Sequence, residues 1–152
     1  MFPRNHAPRN HFPPLMWQLL ALLSAVTAAL MTIVAKIGLK EVDPTLATAI
    51  RSGVIFLFML GIVFSTGKLR GASLTDTKTI IAIVISSIFG ALSWLFYFLA
   101  LKNGDATKVA AIDKTSLAMI FVLSILFLSE KLTWKLAIGT LLVTAGAIVV
   151  AL

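Results

Sequence analysis

Five long apolar runs, separated by short polar linkers, set the pattern of this chain. They cover about 15–35, 45–66, 79–101, 107–128 and 134–152. Each is close to the roughly 20 residues that a helix needs to cross about 30 Å of hydrocarbon. The linkers KIGLKEVDP, GKLRGASLTDTK, KNGDA and SEKLT carry Gly, Pro, Asp and Asn, which end helices and make turns. Membrane-spanning strands would be about 10 residues long and alternate in polarity. These runs are twice that length and do not alternate. The pattern predicts an all-α membrane protein, one bundle of five transmembrane helices over residues 15–152. The first run is too long for a secretory h-region and continues to Lys36, so it is expected to stay as a span.

Residues 1–14 (MFPRNHAPRNHFPP) form a polar tail whose prolines forbid a regular helix, and a short disordered segment is expected there. Its echo, PRNH at 3–6 against PRNHF at 8–12, reads as low complexity. His6 and His11 have no Cys or acid beside them, so they are expected to be solvated rather than metal-bound.

Composition supports the membrane assignment. Of 152 residues, 59% are hydrophobic and 12% charged, with a mean hydropathy of +1.02. A soluble domain carries about 25% charged residues, so this chain lacks the polar surface to cover a globule. There are no cysteines, which excludes a disulfide framework and thiolate metal sites. The net charge of +7 is scattered over short loops rather than gathered in a stripe, so anionic lipid headgroups are the expected partner, not nucleic acid.

Loop cations also predict orientation. Arg4, Arg9, Lys68, Arg70, Lys78, Lys131 and Lys135 fall on one side, against Lys36, Lys40, Lys102 and Lys108 on the other. The excess puts the N-terminus in the cytoplasm of an inner-membrane protein. Trp17 and Trp134 both fall at that interface, where tryptophan is favoured. The bias is weak, and a weakly biased chain can insert both ways.

Charges inside the spans narrow the function. After Arg51 the apolar run Ser52–Thr66 covers only about 22 Å, so Arg51 must lie within the membrane. The same argument holds for Asp113 and Lys114, followed by an apolar run to Leu128. Trp94 and Tyr97 lie one to two turns before Leu101. Three helices therefore bring polar groups to one depth, on the order of 10 Å below the outer interface. Intramembrane charges are expensive and usually functional. Asp113 is expected to pair with Arg51, while Lys114, about 100° away around the helix, borders a cavity or reaches outward. Trp94, Tyr97 and Phe98 share a face that could line a path for an apolar or cationic solute. The alternative is a buried network and aromatic packing that only fix the helices together.

Small residues recur at helix-packing spacing: Ala21, Ala25 and Ala29, with Ser24, Ala28 and Thr32 alongside; Ser86 and Gly90; Gly139 and Gly146; Thr140 and Thr144. Gly90, Gly139 and Gly146 are expected to let helices approach closely, within one chain or between copies. There is no phosphate-cradling Gly loop, HExxH or nucleophile elbow, and Ser116, Ser129 and the two His have no triad partners. No enzyme and no cofactor are expected.

The blocks AKIGLKEVDPTLATAIRSGV (35–54), ALKNGDATKVAAIDKTSLA (100–118) and FLSEKLTWKLAIGTLLVTAGAIVV (127–150) resemble the EamA family of the drug/metabolite transporter superfamily, specifically its short, single-repeat members. The resemblance covers nearly all of 17–152. Two positions depart from it: Ala111 stands where short members often have Pro, and Ser129 replaces the usual Gly before Glu130. Longer members carry two five-helix repeats in inverted orientation. The resemblance implies a transporter or exporter of small organic metabolites or drugs, a half that works as a pair. An antiparallel homodimer, or a pairing with a homologous subunit, would mimic the inverted repeat. Asp113 would be the protonatable coupling group, with Lys114, Trp94 and Tyr97 along the solute path. A non-transporting assembly or regulatory subunit is the competing reading.

Overall fold

The computed structural model describes residues 15–68 and 76–152. The tail with His6 and His11, and Arg70 of the second linker, lie outside the described residues. Six helices form: α1 (Met16–Gly38), α2 (Pro44–Ser65), α3 (Thr77–Asn103), α4 (Ala106–Asp113), α5 (Ser116–Leu128) and α6 (Trp134–Ala151). Segments α4 and α5 together make one span, Ala106–Leu128, so five spans are long and apolar enough to cross a membrane.

Local chemistry fixes the helix starts. Asp43 accepts hydrogen bonds from the backbone N–H of Thr45 (2.8 Å) and Leu46 (3.1 Å), and Pro44 fills the first helical position of α2. Asp76 does the same for α3, accepting from the Lys78 N–H at 3.1 Å and the Thr79 hydroxyl at 3.0 Å. The Thr133 hydroxyl accepts from the Leu136 N–H at the start of α6. These caps carry α3 two residues beyond the apolar run at its start, because Thr77 and Lys78 sit inside the capped turn.

The fourth span breaks without a proline. The N–H groups of Lys114 and Thr115 reach back only three residues, to the carbonyls of Ala111 (3.0 Å) and Ile112 (2.9 Å). The Thr115 hydroxyl also donates to the Ile112 carbonyl at 2.7 Å. A threonine bonded back into its own helix competes with the regular ladder and bends it. Ala111 removes the sequence signal for a break, yet the break forms one turn on.

Packing is uneven. Helix α3 touches α1, α2 and α4, while α6 packs on α4 and α5; among the described elements α5 leans mainly on α6. The bundle therefore closes where α1, α3 and α4 meet, at the end that carries Lys36, and opens toward Trp17. The buried apolar core is small: Leu39, Phe98 and Leu101, with Met31, Ala35, Ala47, Ala106 and Val109 packed around it. Phe58, Phe89 and Phe127 stand exposed, as side chains facing lipid do. Lipid supplies no hydrophobic drive between helices, so a sparse core is enough when van der Waals and polar contacts fix the interfaces.

Three lysines grip backbone at the closed end. The Lys36 ammonium donates to the carbonyls of Leu101 (2.6 Å) and Gly104 (2.8 Å), closing the C-terminus of α3. Lys102 donates to Val42 (2.8 Å) and Lys108 to Ala151 (3.4 Å). Unsatisfied helix-end carbonyls favour cations. Gly104 fits closely in this turn: a Cβ there would meet Val109 Cγ2 at 3.0 Å and the Ala100 carbonyl at 3.2 Å.

Gly90, Gly139 and Gly146 do not act as expected within the chain. A Cβ at any of the three would meet nothing within 4 Å. The buried stripe of α6 is Thr140 and Ala147 with half-buried Thr144 between them, and the two glycines stand on the neighbouring exposed face. No neighbouring helix approaches these glycines within the chain.

Candidate functional site

Four helices build the site around α3. On α2, Pro44, Ala47 and Arg51 follow at i, i+3 and i+7, a face directed at α3 by the buried Pro44 and the packed Ala47. On α3, Trp94, Phe98 and Leu101 follow at i, i+4 and i+7, with Tyr97 beside them. Phe98 and Leu101 join the core, which leaves Trp94 and Tyr97 at its edge. The Trp94 ring meets Tyr97 and Phe98 edge-on, at centroid distances of 6.2 and 6.0 Å.

A cavity of about 430 Å³ lies between α1, α3 and α4. Trp94 and Tyr97 form one wall, and Asp113 and Lys114 form the polar end. The opposite wall is the small-residue stripe of α1: Ala25, Ala28, Ala29 and Thr32. These alanines were legible only as packing positions. What they do here is keep the wall thin enough for a cavity to exist. The Leu39–Phe98–Leu101 cluster and the Lys36 grip lie beyond Thr32 and Trp94, toward the closed end.

The expected Arg51–Asp113 pair does not form. The ion pair found among the described residues joins neighbours, Lys114 Nζ to Asp113 Oδ2 at 3.3 Å. Arg51 instead lays its guanidinium over Trp94, with Cζ 3.5 Å from the ring centroid and 5.3 Å from that of Phe98. The physical reason is direction. Arg51 is on α2, which packs on the outside of α3, so Trp94 stands between it and the cavity. The planar, weakly hydrated guanidinium suits an aromatic face.

Tyr97 reaches Thr32 across the bundle, oxygen to oxygen at 2.9 Å. The Thr32 hydroxyl also bonds the Ala28 carbonyl at 2.9 Å. A carbonyl only accepts, so the single Thr32 proton goes to Ala28 and the Tyr97 hydroxyl donates to Thr32. The phenol oxygen keeps its lone pairs for a donor in the cavity. Thr32, Met31, Ser93 and Ala110 line the cavity without having been singled out for it. For Thr32 the signal was a hydroxyl in the middle of an apolar stripe; the others gave none. Among the described residues no group of His, Cys, Asp or Glu could hold a metal ion.

Five apolar spans, three of them lining a small, partly polar cavity, define a multi-pass integral membrane protein. This chain belongs to the EamA-like transporter family, whose model matches residues 15–152. It is 40% identical over 135 residues to an "Uncharacterized transporter in cobO 3'region" of Sinorhizobium sp, covering 89% of this chain and 96% of that protein. It is 31% identical over 134 residues to the "Uncharacterized protein MJ1333.1" of Methanocaldococcus jannaschii, across 88% and 95% of the two lengths. It is 33% identical over 128 residues to the "Uncharacterized transporter YvbV" of Bacillus subtilis; there the match takes 84% of this chain but 42% of the longer protein. No solved structure matches. The protein is a membrane transporter of this family.

Proposed function

We propose that the chain is one half of a secondary transporter for small organic metabolites or drugs, working as an antiparallel homodimer by alternating access. The observation that carries this reading is the cavity. Side chains of three spans converge on a 430 Å³ space that is closed at the Lys36 end and bordered at the other by the exposed N-terminal half of α1. Two copies in opposite orientation would each have their closed end at a different membrane face. Rocking one against the other would then open one mouth as the other shuts. That YvbV is matched over less than half its length fits a single repeat of a two-repeat plan. The exposed Gly139–Gly146 face of α6 is suited to close approach between copies.

In this scheme Asp113 is the coupling group and Lys114 its counter-charge. Protonating Asp113 releases the ammonium, which is then available to solute. The experiment is Asp113→Asn in proteoliposomes, alongside the native protein. Membrane insertion and dimer yield are expected to hold while proton-driven flux of a mixed metabolite pool is lost. Reduced yield with persisting flux per molecule would instead favour charges that only lock helices. A C-terminal tag tests the pairing: signal from both membrane faces is expected, and signal from one face alone overturns the antiparallel arrangement.

A further inference from the structure

We propose that the solute is an organic oxyanion, a carboxylate or phosphate head on an apolar body, that Lys114 receives the head, and that Arg51 adds its positive charge from behind Trp94. The proposal rests on the transport reading of the same cavity and adds the chemistry of what enters.

The first observation is the charge balance. The polar layer holds two cations, Arg51 and Lys114, against the single carboxylate of Asp113. Three lysines on neighbouring elements are engaged elsewhere. Lys36 is bound to the carbonyls of Leu101 and Gly104, Lys102 to Val42, and Lys108 to Ala151. The layer therefore carries one uncompensated positive charge in an apolar surround, where an unneutralised charge is costly. An entering anion completes the balance, whereas an entering cation worsens it.

The second observation is who occupies the aromatic face. Trp94 and Phe98 would offer a cation–π seat to a cationic solute, as their spacing suggests. Arg51 holds the outer face of Trp94, with Cζ 3.5 Å from the ring centroid, and keeps a positive charge behind that wall. A cationic solute on the cavity side would face this resident cation across the ring. An oxyanion is attracted by it. A charge-assisted bond from the Lys114 ammonium to a carboxylate or phosphate is stronger than attraction to a ring.

The third observation is unused donor capacity. Lys114 has three N–H donors and one contact, to Asp113 at 3.3 Å, and its side chain is 64% exposed. Its remaining donors can turn to the cavity. The far wall, Ala25, Ala28, Ala29 and Met31, is apolar, and the Thr32 hydroxyl beside it is already bonded to Tyr97, which sets the apolar body of the solute.

The test uses the full chain in lipid nanodiscs with Trp17→Phe and Trp134→Phe, so that Trp94 is the sole indole. Emission is titrated with benzoate, phenyl phosphate and benzylammonium, which share a ring and differ in the head. Saturable change with an anion, and none with benzylammonium at equal concentration, is the expected result; the stronger of benzoate and phenyl phosphate identifies the head. Lys114→Gln should weaken anion binding about tenfold, the loss of one charge-assisted bond, and Arg51→Gln should weaken it by less, through the loss of its field alone. Circular dichroism checks that each variant is folded, and the second variant serves if the first is not. Saturation by benzylammonium alone overturns the oxyanion assignment and leaves the cavity as a solute site. Saturation by none of the three, with folded protein, overturns both.

Discussion

The guanidinium of Arg51 rests on the indole of Trp94, 3.5 Å from ring centre to Cζ, and this stacking holds α2 against α3 where a carboxylate pair was expected. An arginine in a lipid-embedded span is tolerable only with a partner, and an aromatic face is the partner this fold provides. The contact can be measured by a double-mutant cycle of Arg51→Met and Trp94→Leu, read as thermal unfolding in detergent. The expected coupling is about 0.5–2 kcal/mol, the range for cation–π contacts from exposed to desolvated. Additive losses would mean that the two side chains do not support each other.

Lys36 is expected to matter more than its place at a helix end suggests. Its ammonium satisfies the carbonyls of Leu101 and Gly104, and so ties α1 to the α3–α4 turn. Replacing it with Met should lower stability by about 1.5–3 kcal/mol, the scale of a hydrogen bond to a charged group. Lys36→Arg should recover part of the loss. Unfolding midpoints of the three proteins in one detergent decide it.

Ser129 follows α5 with φ 55°, in the left-handed region. An L residue without a local hydrogen bond pays about 1 kcal/mol there, and glycine does not. Ser129→Gly should therefore stabilise the chain by about that amount, and Ser129→Val should destabilise it. The resemblance to short EamA members points to the same position, where glycine is usual. A midpoint that falls on Ser129→Gly would show that the serine makes an interaction worth more than the strain.

Asp43 gives a pH dependence with a definite sign. The backbone N–H groups of Leu46 and Thr45 hold its carboxyl below the ordinary value of 3.8. The folded state therefore favours the ionised form more than the unfolded chain does. The contribution is complete above the ordinary value and is lost as pH falls through the lower folded one. Asp43→Asn keeps an acceptor at the cap and removes the titration. Its unfolding midpoint should be flatter than the native curve between neutral pH and the acid limb. Parallel curves would exclude a role for this cap in acid unfolding.

Most of the fold was written locally. The length of each apolar run fixed five spans, because the bilayer sets one length for every crossing helix. Asp43–Pro44 and Asp76 mark starts that depend only on residues a turn away. That Trp94, Tyr97, Asp113 and Lys114 share one level, with Arg51 beside Trp94, also followed from distance along the helix. The break after Asp113 was not legible, because it comes from a threonine bonded to its own backbone rather than from a proline.

What the sequence by itself determined is thus the set of spans and the level of each polar side chain along its helix, since both depend on rise per residue along a helix axis. Which way those side chains face was decided only by tertiary packing. In lipid every face of a helix is apolar, so no amphipathic stripe records its rotation. The seating of α2 outside α3 gave Arg51 to Trp94, left Asp113 to Lys114, and turned the alanines of α1 from presumed contact points into the wall of a cavity.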